Sequence, residues 1–146
     1  MIPGVDNLPV LETEFLLGLR KGDKRNKTAK SILSRAEEGK MDKVVIAGSA
    51  VMEIAFGLRG RFDKPDIVEI LELIRGMTPA LPILNLDMDM IIEGLKIELR
   101  LPDSNLFDCL HAATALRHDG VIVSSDPFYE SVAGMRRLDL SELLHE

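Results

Sequence analysis

The chain has 146 residues, 46% hydrophobic and 29% charged, enough for one domain that buries about two-thirds of its unfolded surface. One cysteine, Cys109, excludes an internal disulfide and a zinc site built from cysteines alone, and suits a reducing cytoplasm. The longest nearly apolar run, 44–52, is far short of the roughly 20 residues of a membrane helix. The first residues, Met-Ile-Pro-Gly-Val-Asp, lack the basic start and apolar middle of a secretory signal. A soluble cytoplasmic protein is expected, a single domain over 1–146 with residues 1–8 as an N-terminal extension.

Net charge is −6, which disfavours a polyanionic partner, yet residues 20–64 hold 12 Lys/Arg against 6 Asp/Glu. Charge runs of this kind serve solubility, or they form a basic edge beside an acidic pocket. Within that segment Lys24, Arg25 and Lys27 are the candidate nucleic-acid contacts. With no Trp and one Tyr, an aromatic platform for stacked bases is not expected.

In chain order, Val10-Leu11 reads as a strand end, followed by a helix through Phe15, Leu16 and Leu19. After Gly22-Asp23, the spacing of Ala29, Ile32, Leu33 and Ala36 predicts a second helix. Val44-Val45-Ile46 is a buried strand, and Ser49 is the expected N-cap of a helix over 50–58. Asp63-Lys64-Pro65 opens a helix carrying Ile67, Ile70, Leu71 and Ile74 to a stop at Gly76. Residues 81–84 form a strand, and Asp87 caps a helix whose apolar stripe is Ile91, Ile92, Leu95 and Leu99. Pro102-Asp103-Ser104 begins a helix to His118, ended by Gly120. Val121-Ile122-Val123 is another strand, and 137–140 a last one. Short apolar strands alternating with amphipathic helices predict an α/β fold: a parallel sheet of four to five strands with helices on both faces. Sites in such folds lie at the carboxyl ends of the strands.

Neither GxGxxG nor GxxxxGK[ST] is present, and His111, His118 and His145 have no metal-site spacing. Acidic residues at strand ends remain. From Asp108 the helix runs about 15 Å to His118, and the chain returns about 16 Å along 121–125, so Asp108 and Asp126 meet at one sheet edge. Glu12 follows the first strand and Glu53 lies one turn into the helix after the second, at the same edge. Singly, such acids also complement a helix dipole. Four together repel and raise each other's pKa unless a cation compensates them, and oxygen ligands suit Mg²⁺ or Mn²⁺. Phosphodiester hydrolysis uses this equipment.

The residues also carry a family resemblance. Glu12-Thr13-Glu14-Phe15-Leu16-Leu17 resembles the Asp-Thr-x-hydrophobic opening of PIN-domain nucleases. Glu53 in Ser-Ala-Val-Met-Glu-Ile-Ala, Asp108 in Phe-Asp-Cys-Leu-His-Ala-Ala-Thr-Ala-Leu and Asp126 in Val-Ser-Ser-Asp-Pro-Phe-Tyr resemble the family's later acidic positions, in order. The resemblance implies a Rossmann-like PIN domain and Mg²⁺- or Mn²⁺-dependent ribonuclease activity. It also implies kinship with the VapC-type toxins of toxin–antitoxin pairs, which form homodimers and bind a small antitoxin. By it, Glu12, Glu53, Asp108 and Asp126 are catalytic metal ligands, and Thr13 and Ser124 orient carboxylates or water. As residues alone, Thr13 and Ser124 equally suit helix caps, His111 a partly buried structural role, Phe128 and Tyr129 core or dimer contacts, and Glu14 and Asp103 solvation. The departure is Glu12, where the family has Asp, which leaves a catalytically weak or silent scaffold binding RNA or a protein as the second reading. A phosphate-ester enzyme or receiver-like domain is a third, without an obvious paired-Asp strand end.

Overall fold

The computed structural model describes residues 8–144. The expected N-terminal extension, apart from Leu8, lies outside the described residues, as does His145. The Leu8 N–H donates to Asp119 Oδ2 at 2.6 Å and fixes the start of the described chain.

Five strands, β1 (Val10–Leu11), β2 (Val45–Ala47), β3 (Ile83–Leu84), β4 (Val121–Val123) and β5 (Arg136–Leu138), form one parallel sheet. Their order is β3-β2-β1-β4-β5. The register pairs Leu11 with Ile46 on one side and Val123 on the other. Successive side chains of a strand point to opposite faces, and every residue of β1, β2 and β4 is buried. Both faces of the sheet are therefore covered, which explains why these strands read as continuous apolar runs rather than alternating ones.

Six helices supply the cover: α1 (Thr13–Gly18), α2 (Asn26–Glu37), α3 (Gly48–Met52), α4 (Lys64–Met77), α5 (Met88–Arg100) and α6 (Leu106–Leu116). A π-helical turn, Glu53–Gly57, continues α3, and 3-10 turns follow β4 and β5. Asp63 and Asp87 cap α4 and α5 as expected, accepting from the N–H groups of Asp66 and Met90. Ser49 does not cap its helix. The N-cap is Ala47, and Ser49 is fully buried. Helix α6 starts later than the Pro102-Asp103-Ser104 signal suggests, because Asn105 takes the cap. Gly120 follows its end with φ +74°, a conformation that favours glycine, and turns the chain into β4.

The largest difference from the sequence pattern lies in α5. The expected inward stripe of Ile91, Ile92, Leu95 and Leu99 is exposed, Leu99 at 79%, while Met90, Gly94 and Ile97 are buried. The physical reason is Gly94. A Cβ there would stand 2.7 Å from Leu110 Cδ2, so glycine lets α6 approach on that side, and α5 turns its bulkier apolar face outward.

The sheet order reverses at β1. From that strand the chain builds β2 and β3 on one side, then returns to place β4 and β5 on the other. The crevice beyond the carboxyl ends of β1 and β4 is the topological switch point. Glu12 directly follows β1, and Ser124 to Asp126 directly follow β4.

Candidate metal centre at the β1–β4 switch point

Glu12 is the N-cap of α1, an unusual place for glutamate, and is only 6% exposed. Its longer side chain folds back so that Oε1 accepts the Glu14 N–H. The other oxygen, Oε2, accepts the Tyr129 hydroxyl at 3.2 Å. Burial, above all, raises the Glu12 carboxyl to about 7, with the Glu14 and Asp108 charges adding and His111 and the Glu14 N–H opposing.

Asp108 stands in the first turn of α6, half-buried. Burial again leads in pushing it up, to about 6, and the charges of Asp126 and Glu53 add to the shift. His111 lies one helical turn further on the same face and is fully buried. A carboxylate oxygen of Glu12, one of Asp108 and a ring nitrogen of His111 all lie within 4.8 Å of one another. That is the spacing of groups able to share one cation.

Glu53 joins from the start of the π-helical turn, a distortion that recurs at working sites. Its Oε1 accepts from the Thr13 hydroxyl and from His111 Nε2, the latter at 2.9 Å. These hydrogen bonds outweigh burial, the largest single influence, and hold the Glu53 carboxyl below its ordinary range. Because a carboxylate only accepts, His111 Nε2 carries the proton. In the neutral ring Nδ1 then accepts from the buried Ser49 hydroxyl at 2.6 Å. Ser49, His111, Glu53 and Thr13 form one continuous chain of hydrogen bonds, buried except at Glu53.

Asp126 closes the rim. Its Oδ1 accepts from the Phe128 N–H at 2.9 Å, and its own N–H donates to Ser124 Oγ at 3.1 Å. Ser124 thus shapes the turn that carries Asp126, and Thr13 orients Glu53.

The expected four acids all face this crevice, but not equally. Glu12 and Asp108 form the close cluster, Glu53 is tied to it through His111, and Asp126 reaches it through its charge on Asp108. Three residues expected to be structural or merely solvated make contacts at the crevice. His111 lies beside the cluster and, bonded through both ring nitrogens, keeps the structural role expected of it while orienting Glu53. Tyr129 is fully buried in the core and still aims its hydroxyl at Glu12. Glu14 is not merely solvated: its oxygens accept the Ser125 N–H at 2.7 Å and the Ser125 hydroxyl at 2.6 Å, with Arg25 at 3.5 Å. This carboxylate braces the Asp126 turn against α1. The spacing of His111 to Asp108 was the available signal for the first. Nothing in the sequence pattern indicated Ser49 or the Glu14 brace, which depend on chain segments far apart in sequence.

Among the candidate RNA contacts, Arg25 is held by Asp23 through two parallel hydrogen bonds of 2.9 Å. Lys24 and Lys27 are exposed, as is Asp103.

Comparison with known proteins identifies the fold. The PIN domain family model matches residues 10–135, and this chain belongs to the PIN-domain family. Solved structures with the same fold include VapBC2 of Rickettsia felis bound to a promoter DNA fragment, at 13% identity and TM-score 0.66, covering 90% of this chain and 98% of that one. Another is VapC20 of Mycobacterium tuberculosis, a toxin that cleaves the sarcin-ricin loop, at 18% identity and TM-score 0.62, covering 86% and 95%. A toxin–antitoxin complex from Klebsiella pneumoniae gives 17% identity and TM-score 0.58, covering 90% and 97%. No curated protein sequence matches. Among the described residues no helix is long and apolar enough to cross a membrane.

Proposed function

We propose that this protein is a divalent-metal-dependent ribonuclease and the toxin of a toxin–antitoxin pair, a single domain over 1–146 acting in the cytoplasm as a homodimer. The observation that carries the reading is the pair of acids Glu12 and Asp108 at the switch point, with carboxylate oxygens within 4.8 Å of each other and both pushed up by burial. Such a set fits a cation: the carboxylates are costly to ionise without one, and their spacing suits a shared ion. Oxygen donors suit Mg²⁺ or Mn²⁺.

Glu12 and Asp108 would hold the ion, with Glu53 and Asp126 completing the acidic rim and His111, bonded to Glu53 through Nε2 and to Ser49 through Nδ1, orienting Glu53. When bound, such an ion supplies Lewis acidity, activating water toward phosphorus and offsetting charge on the departing oxygen. The protein's own contribution is positioning. Tyr129 and the Glu14 N–H fix the Glu12 carboxylate, Thr13 and His111 fix Glu53, and Ser124 with Phe128 fixes Asp126. A site held this way loses little organisation when substrate arrives.

The toxin assignment draws on the toxin–antitoxin complexes among the structural neighbours, and a small antitoxin is the expected protein partner. The exposed Ile91, Ile92, Leu95 and Leu99 support a homodimer, since a patch of this kind is uncommon on a monomer. The second reading, a silent scaffold binding RNA or a protein, draws on Glu12, whose two oxygens both receive protein donors.

Calorimetric titration with Mn²⁺ separates the two readings when paired with a cleavage assay on single-stranded RNA. The wild type should bind Mn²⁺ and cleave, and Asp108→Asn should lose both. Metal binding without cleavage of any RNA supports the scaffold, and absence of metal binding removes the nuclease reading.

A further inference from the structure

Two chain segments that carry the acids run on into a second cluster. Arg20 follows the end of α1, seven residues beyond Thr13 and on the order of 10 Å away. Arg59 and Arg61 follow the π-helical turn that begins at Glu53. The three guanidinium groups gather on two phenylalanines. Arg20 lies 4.4 Å and Arg61 5.3 Å from the centre of the Phe62 ring, and Arg59 lies 5.5 Å from that of Phe56. All three arginines are exposed, and Phe56 is 56% exposed. Among the described residues none of them is in an ion pair, in contrast to Arg25.

From this arrangement we infer that Arg20, Arg59 and Arg61, held on Phe62 and Phe56, form the surface that grips the phosphates of a single-stranded RNA entering the acidic crevice. The inference rests on the ribonuclease reading and adds where the strand is held. A guanidinium lying against a ring is restrained in direction while in-plane N–H donors stay available, those of the two terminal nitrogens in Arg59, whose Nε donates to the Ala55 carbonyl at 3.0 Å. Two such groups on one ring offer preorganised bidentate contacts to phosphate oxygens. The position also answers a physical need. An acidic crevice repels the backbone it must cleave, so attraction has to come from beside it. The groove between α1 and α4, about 350 Å³ and lined by Arg20, Lys21 and Phe62, opens at the end of α1 remote from Thr13, one helix length from the acids. Asp66 and Glu69 line the same groove, and Asp66 feels the Arg20 charge, so phosphate contacts fall to the Arg59 and Arg61 side as well as Arg20. The local excess of basic residues in 20–64 thereby acquires a location.

The test measures binding of a labelled oligouridylate by fluorescence anisotropy in EDTA across a salt series, with cleavage kinetics of the same RNA in Mn²⁺. The variants are Arg20→Gln/Arg61→Gln and Arg59→Gln. The double variant should bind at least tenfold more weakly, its log–log salt slope should fall by about 1.4, and KM should rise with kcat kept. Mn²⁺ affinity should be unchanged. If the wild type cleaves and the double variant binds and cleaves equally well, this inference falls and the nuclease reading stands. If the wild type neither binds nor cleaves, both fall. If polyglutamate binds the wild type as well as RNA and the double variant loses it, the surface belongs to an acidic protein segment and the inference is overturned.

Discussion

The buried Glu12 gives the metal-free protein a stability that falls as pH rises. Its carboxyl titrates near 7 in the folded state and near 4.5 unfolded, so between these values the folded chain holds a proton that the unfolded chain has released. The unfolded state therefore binds fewer protons, and the stability of the fold decreases with pH across that window. One proton of difference is worth about 1.4 kcal/mol per pH unit, which gives a loss of about 2 kcal/mol between pH 5 and pH 7 once partial titration is included. Asp108, pushed up for the same reason, adds in the same direction. Asp23 and Glu53, held low, contribute stability that is lost only as pH falls below the ordinary carboxylate range, so they leave this window clear. Urea denaturation in EDTA at pH 5, 6 and 7 reads the effect, and the difference between wild type and Glu12→Gln isolates Glu12. The wild type should lose about 2 kcal/mol more than Glu12→Gln over that range, and saturating Mn²⁺ at pH 7 should recover the loss by replacing the proton with a cation. Equal pH slopes in the two proteins would refute the burial argument.

Other perturbations test the supports around the cluster. Tyr129→Phe removes the donor on Glu12 Oε2 while keeping the ring, and Mn²⁺ affinity measured by calorimetry should fall about tenfold with the fold intact. Glu14→Ala unties the Ser125 turn from α1 and should lower stability by about 1–3 kcal/mol in urea denaturation, with Ser125→Ala costing less because the backbone N–H still reaches the carboxylate. Leu95→Glu with Leu99→Glu should convert a dimer to a monomer in light scattering without lowering thermal stability, since both side chains are exposed in the protomer.

Much of this architecture was legible in the sequence, for identifiable reasons. The strands could be read because β1, β2 and β4 are buried on both faces and therefore appear as unbroken apolar runs. Asp63 and Asp87 announced their helices because capping is a local interaction. The shared edge of Asp108 and Asp126 followed from helix and strand rise alone. Orientation was harder. Helix α5 is apolar on two sides, and only the close approach permitted by Gly94 decides which side is inward, a contact with α6 that periodicity does not contain. The Ser49–His111–Glu53 chain was hidden for a similar reason, since its members come from three places in the sequence and one of them resembles an ordinary cap. The Glu12 substitution was visible, but its consequence was not. The longer side chain folds back onto the Glu14 N–H and the Tyr129 hydroxyl while still keeping an oxygen close to Asp108.

Cleavage of a single-stranded RNA in Mn²⁺ by wild type, Glu12→Asp and Glu12→Gln tests the central claim most directly. If Glu12 works in the site through its charge, the wild type cleaves and Glu12→Asp equals or exceeds it. Glu12→Gln, with the same size and no charge, should then fall at least tenfold, about 1.4 kcal/mol of transition-state stabilisation. Cleavage by Glu12→Gln at the wild-type rate would contradict the role of Glu12, and absence of cleavage by both wild type and Glu12→Asp, in Mn²⁺ and likewise in Mg²⁺, would leave the scaffold as the function of this protein.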